Sequence, residues 1–118
     1  MRTHAHAQPT NKQTNAGPDE VVLAKTTSSP FASTVLEHLL RSLGRDQLVV
    51  CGALTDQCVS STVREAADRG FRVTLARDAC VGSDGARHEG AVAHVAGYCR
   101  VRTSAQCAAE LLGGGGGC

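Results

Sequence analysis

Tryptophan is missing from this 118-residue chain, and aromatic residues make up only 3% of it. Val, Leu and Ala must therefore supply most of any core. An excess of either charge is missing too: 12 Lys and Arg face 11 Asp and Glu, a net charge of +1. That balance gives no electrostatic reason to expect nucleic acid or an anionic membrane as partner. No apolar run approaches the roughly 20 residues that cross a bilayer. The opening MRTHAHAQPTNKQTNAGPDE has no apolar stretch of the secretory-signal type, so a cytoplasmic location is the expectation. No C-x-x-C pair occurs among the six Cys. They lie in apolar segments rather than at the spacing of a loop-rich disulfide scaffold, which predicts mostly free thiols in a reducing compartment.

What is present reads as one globular domain. The length suits a single domain, and 42% hydrophobic with 19% charged residues is ordinary for one. Residues 1–19 are polar and close on Gly17 and Pro18, which predicts a disordered tail. His4 and His6 within it make a weak metal pattern, and no metal is expected. Residues 113–118, GGGGGC, read as a flexible Gly-rich tail on which Cys118 is the thiol most open to oxidation. The domain itself spans 20–112.

Between the tails the pattern alternates. VVLA, Val21 to Ala24, is a short continuous apolar run of the kind that forms a strand covered on both faces. In SSPFASTVLEHLLRSLG, Ser29 suits an N-cap, Pro30 the first turn and Gly44 the end of one helix, with Phe31, Val35, Leu39 and Leu43 inward. QLVVCGAL predicts a second buried strand. CVSSTVREAADRG predicts a helix with Val59, Val63 and Ala66 or Ala67 inward, ended by Gly70. FRVTLA is a third strand, 84–97 a helix, RVRT a short last strand, and Ser104 caps a final helix through Leu112. Strands and helices that alternate through short connections imply parallel strands with right-handed crossovers. The expected fold class is α/β, a three-layer α/β/α arrangement with helices on both faces of a mainly parallel, Rossmann-like sheet.

In such sheets chemistry collects beyond the C-terminal ends of the strands. Those ends carry Lys25, the segment from Gly52 to Cys58, and Asp78. Cys58 falls in the first turn of a helix, where unpaired N–H groups and the helix dipole stabilise a thiolate. Lys25 would add positive charge if the two strand ends lie close. N–H groups at a helix start can also hold an oxyanion, so the pattern permits acyl transfer. Cys is equally a residue type that packs in cores. Pattern alone leaves both readings of Cys58 open, while Cys51, Cys80, Cys99 and Cys107 read as packing.

GALTDQCVSSTVREAADRGFRVTLARDAC resembles the signature of the isochorismatase-like cysteine hydrolases: a strand, G-x-x-T-x-x-C-V, a helix ending in R-G, and a strand ending in D-A. VVLAKTTSSPFASTVLEHLL is similar to that family's upstream block, in which a strand ends in Lys and a helix follows S-x-F-x-x-T. RHEGAVAHVAGYCRVRTSAQ is similar to the tail of its amidohydrolase-like members. The likeness covers roughly residues 18–112. It implies a hydrolase that cleaves a C–N bond, amide or ureido, of a small-molecule substrate through an acyl-enzyme. It implies Cys58 as nucleophile and Lys25 as the group that stabilises its thiolate. It further implies a non-proline cis peptide at Ala53–Leu54 and an oxyanion hole built from the N–H groups of Leu54 and Cys58. Thr55 and Asp56 then close the turn and cap the helix, and Asp78 anchors a helix or loop. No cofactor and no metal follow, and family members often assemble as homo-oligomers.

One family feature has no match. The catalytic Asp belongs to a D-x-Q-x-x-F-like block at the end of an earlier strand, and residues 1–20 contain no such strand. Asp19 stands at the wrong end of the Lys25 strand. Histidines at 4 and 6 do not reproduce the metal block of nicotinamidases. The chain therefore reads as N-terminally shortened, with four strands in an incomplete sheet. Two functions remain open: a cysteine amidohydrolase, or a catalytically inactive relative or truncated fragment that binds a partner.

Overall fold

The computed structural model describes residues 2–4 and 16–113. Strand β1 (Arg2–His4) pairs in parallel with β2 (Val22–Ala24). Strands β3 (Gln47–Ala53), β4 (Arg72–Val81) and β5 (Arg100–Arg102) form a separate parallel sheet in the order β3-β4-β5. Helices α1 (Pro30–Ser33) and α2 (Leu36–Ser42) lie between β2 and β3 in the chain. A π-helical turn, Thr55–Val59, leads from β3 into α3 (Ser60–Asp68). Helix α4 (Gly85–Val95) connects β4 to β5, and α5 (Ser104–Leu112) follows β5. The α/β class and the parallel pairing match the expectation, and no helix among the described residues is long and apolar enough to cross a membrane.

The main core forms on one face of the three-stranded sheet. Val73 and Leu75 of β4 meet Val63 and Ala66 of α3 and Val92 and Val95 of α4 there. Phe31, Leu36 and Leu40 close the same cluster from α1 and α2. Successive strand residues point to opposite faces, so Thr74 and Ala76 face away from it. Helix α5 packs on β4, and its buried Cys107 stands outside the main cluster.

Several expectations need correction. The helix foreseen from Ser29 to Gly44 is two helices, because the Thr34 hydroxyl takes over the backbone groups at the break. It donates to Pro30 O at 2.7 Å and accepts from Leu36 N–H at 3.1 Å. Thr34 itself is extended. The break shifts the inward register, so Leu36 and Leu40 are buried while Val35 and Leu43 are 62% and 54% exposed. Strand β3 is covered on one face only, and Gln47, Val49, Cys51 and Ala53 alternate outward as exposed positions. Strand β4 extends past Ala76 to Val81 through an irregularity in its pairing with β3, where Val50 pairs with Leu75 and Gly52 with Cys80. The final helix is capped by Thr103, whose hydroxyl accepts Gln106 N–H while the Gln106 side chain accepts Thr103 N–H.

The first nineteen residues are not wholly without structure. Arg2–His4 form β1, and Ala16 is buried. β1 has no apolar run, so its pairing with β2 left no hydrophobic mark in the sequence. Residues 5–15, with His6, and residues 114–118, with Cys118, lie outside the described residues. Gly44 and Gly70 end α2 and α3 with φ of 67° and 90°, a conformation that Gly adopts at little cost.

Candidate active site

Strand β2 delivers Lys25 and strand β3 delivers the turn that carries Cys58. Although β2 and β3 belong to different sheets, Lys25 Nζ lies 3.5 Å from Cys58 Sγ. Both side chains belong to half-buried residues. The Lys25 ammonium also donates to Thr27 O at 3.1 Å, which holds it over the turn. The loop beneath is braced from α1. Ser33 Oγ accepts Thr26 N–H at 3.1 Å and lies 2.8 Å from the Thr27 hydroxyl, which in turn donates to Ser29 O at 2.6 Å. A positive charge at this range attracts a thiolate.

The Ala53–Leu54 peptide is cis. The Leu54 carbonyl accepts the N–H groups of Gln57 at 3.0 Å and Val59 at 3.1 Å, which bracket that of Cys58 in the chain. Cys58 O accepts the Thr62 hydroxyl at 2.6 Å. Thr55, at the head of the turn, is 1% exposed and Val59, at its end, is buried. The turn is thus anchored from beneath while Cys58 faces partly outward. Cys58 sits within this turn and immediately ahead of α3, rather than within a regular α-helical first turn.

The neighbouring acids hold structure. Asp56 accepts Ser83 N–H at 2.9 Å and the Ser83 hydroxyl at 2.7 Å, and the hydroxyl bond is the main reason its carboxyl titrates below the ordinary range. Asp78 binds Ser104 in the same two-pronged way, at 2.6 Å from N–H and 2.8 Å from the hydroxyl, and is held low by it. Asp56 therefore ties the Cys58 turn to the loop before α4, and Asp78 ties β4 to the start of α5. Two contacts escaped sequence reasoning: Ser83 on Asp56, and His88 Nδ1 at 2.8 Å from Thr55 Oγ1. Their partners are 27 and 33 positions away in the chain, so no local pattern marked them.

Cys51, Cys58, Cys80, Cys99 and Cys107 are free thiols. Burial pushes the Cys80 and Cys99 thiols up in pKa, which suits packing positions. Cys51 departs from the packing expectation, since it is exposed on the uncovered face of β3. Among the described residues no group of three or more His, Cys, Asp or Glu is placed to hold a metal ion. A groove lined by Gln47, Val49, Tyr98, Arg100 and Cys107 opens at the opposite, N-terminal ends of the strands. It contains neither Lys25 nor Cys58.

The family model for the isochorismatase domain matches residues 5–107, and the chain belongs to that family. A streptothricin hydrolase from Streptomyces noursei is 48% identical over 63 residues, 53% of this chain and 25% of its own length. Nicotinamidase 3 from Arabidopsis thaliana is 38% identical over 80 residues, 68% of this chain and 40% of its own. The crystal structure of a putative isochorismatase-family hydrolase from Chromobacterium violaceum superposes with a TM-score of 0.77 at 35% identity, covering 92% of this chain and 68% of that one. The chain thus spans less than half the length of those two curated relatives.

Proposed function

We propose that Cys58 is the nucleophile of a hydrolase that cleaves a C–N bond, amide or ureido, in a small molecule. The observation that carries this reading is the 3.5 Å approach of Lys25 Nζ to Cys58 Sγ. The names of the relatives, a streptothricin hydrolase, a nicotinamidase and an N-carbamoylsarcosine amidase, support the bond class. Lys25 faces the Cys58 sulfur, which as a thiolate adds to the carbonyl carbon of the substrate. Negative charge moves to the carbonyl oxygen, where the N–H groups of Leu54 and Cys58 receive it. Collapse of this intermediate breaks the C–N bond, and the nitrogen leaves with a proton equivalent to the one the thiol gave up. Water then adds to the thioester, releasing the acid and restoring the thiol.

The Asp56 carboxylate favours a second reading. Both of its oxygens are engaged by Ser83, so the acid two residues before Cys58 is committed to the loop and is poorly suited to carry a proton. General acid–base help is worth about 10²–10⁴-fold in rate. A chain that lacks it would bind a partner or small molecule with little turnover, as a catalytically inactive relative or truncated fragment would. Ammonia release from nicotinamide, maleamate and ureido compounds, measured for the natural chain and for Cys58→Ala, tests the first reading. Release that depends on Cys58 supports it, and equal release from both chains rules it out. Saturable binding without Cys58-dependent release supports the second.

A further inference from the structure

We propose that His88 is a positioning residue for the Cys58 turn, acting through Thr55 on the groups that receive the oxyanion. The inference rests on the reading of Cys58 as a nucleophile and adds a residue to it. Thr55 opens the turn, directly after Leu54, and its side chain is sealed from solvent at 1% exposure. A buried hydroxyl needs a partner, and the partner is His88 Nδ1 at 2.8 Å. A buried hydroxyl that loses its partner is expensive, which gives this bond leverage over the turn.

His88 is itself fixed on several sides. It lies near the start of α4, and its N–H donates to Asp84 O at 2.9 Å. Gly82 packs directly against it: a Cβ at Gly82 would come within 2.8 Å of His88 Cβ and 2.9 Å of its Cα. No other residue type fits that approach without moving α4. On the outer side, His88 Nε2 lies 3.9 Å from a Glu89 oxygen, and Glu89 is gripped by Arg77 at 2.6 and 2.8 Å. The next turn residue, Asp56, is bound to Ser83 in the same segment. Two consecutive residues of the turn are therefore fastened to residues 83–88, and the direction of the Leu54 and Cys58 N–H groups follows from where that segment holds them. Of these two fastenings, the His88 contact is part-buried and the Asp56–Ser83 contacts are exposed.

The test separates two reactions of one thiol. Acylation of Cys58 by p-nitrophenyl acetate passes through an oxyanion: the Cys58 S–C bond forms, the ester C–O bond breaks, and p-nitrophenolate leaves. Alkylation by iodoacetamide displaces iodide and forms no oxyanion. His88→Gln puts its amide at the position of Nε2 and abandons Thr55, whereas His88→Asn puts a polar atom where Nδ1 stands. We expect His88→Gln to slow acylation at least about tenfold, since small displacements at a reacting centre carry penalties up to about 10²-fold. Alkylation should change less than about twofold, and His88→Asn should recover most of the acylation rate. Thr55→Val, which removes the hydroxyl at nearly constant volume, should reproduce the His88→Gln pattern and serves should that chain fail to fold. Equal loss of both reactions in Thr55→Val and His88→Gln, or unchanged acylation in them, overturns the proposal. Failure of the underlying reading looks different: the natural chain would then acylate Cys58 no faster than exposed Cys51.

Discussion

Lys25 Nζ and Cys58 Sγ stand 3.5 Å apart, although they are 33 positions apart in the chain and their strands belong to different sheets. The approach depends on how each strand ends. Past β2 the chain turns through Thr26 and Thr27 against Ser33, and past β3 it turns at Leu54 into the Thr55–Val59 turn. Lys25→Met keeps the length of the side chain and removes its charge. It should slow iodoacetamide alkylation of Cys58 by about tenfold, a ~1.4 kcal/mol rise in barrier. Alkylation of exposed Cys51 is the internal reference and should not change.

Leu75, on β4, is the largest fully buried side chain among the described residues. Leu75→Ala should destabilise the fold by about 2–5 kcal/mol, through lost transfer energy and the cavity left behind. Leu112→Ala removes the same atoms from a residue 89% exposed and should change stability by less than about 0.5 kcal/mol. Denaturant unfolding of the two variants measures the contrast. Equal effects would mean that the core lies elsewhere.

Asp78 supplies a pH signature. The Ser104 hydroxyl and N–H hold its carboxyl below the ordinary range. Its contribution is therefore complete above the unfolded-state value, near about pH 4, and is lost as pH falls through that value toward the lower folded one. Asp78→Asn should melt at lower temperature than the natural chain at pH 7, and the two melting temperatures should converge as pH is lowered below about 4. Parallel curves across that range would show that the carboxylate does not anchor α5.

Thr34 separates α1 from α2 by donating to Pro30 O and accepting from Leu36 N–H. Thr34→Val keeps the shape and removes both bonds. It should cost about 1 kcal/mol, the usual scale for a lost cap, read as a lower denaturant midpoint. No change would mean that the break has another cause.

The placement of Lys25 and of the segment from Gly52 to Cys58 beyond strand ends was legible in the sequence, where apolar runs stop and polar chemistry begins, while the roles of Leu54 and Cys58 followed only from the family resemblance. The α3 core face was legible for a similar reason, since Val59, Val63 and Ala66 repeat at helical spacing and all three are buried. The break at Thr34 was not, because one hydroxyl competing for backbone groups leaves the hydrophobic period intact while shifting which residues point inward. The exposed face of β3 was hidden as well. LVV reads as doubly covered, but α5 packs on β4 and leaves Val49 46% exposed. β1 carries no apolar signal, and the division into two sheets depends on pairing between distant segments. His88 on Thr55 and Ser83 on Asp56 likewise join residues that only folding brings together.

The central claim is that Cys58 attacks a carbonyl carbon. Acid-quenched mass spectrometry of the chain, taken shortly after mixing with a panel of small amides and p-nitrophenyl esters, tests it most directly. One hydroxylamine-labile acyl group is expected on Cys58, formed faster than on Cys51 and slowed by Lys25→Met. Acyl groups that collect on Cys51 at an equal or greater rate, with Cys58 unmodified, would contradict it.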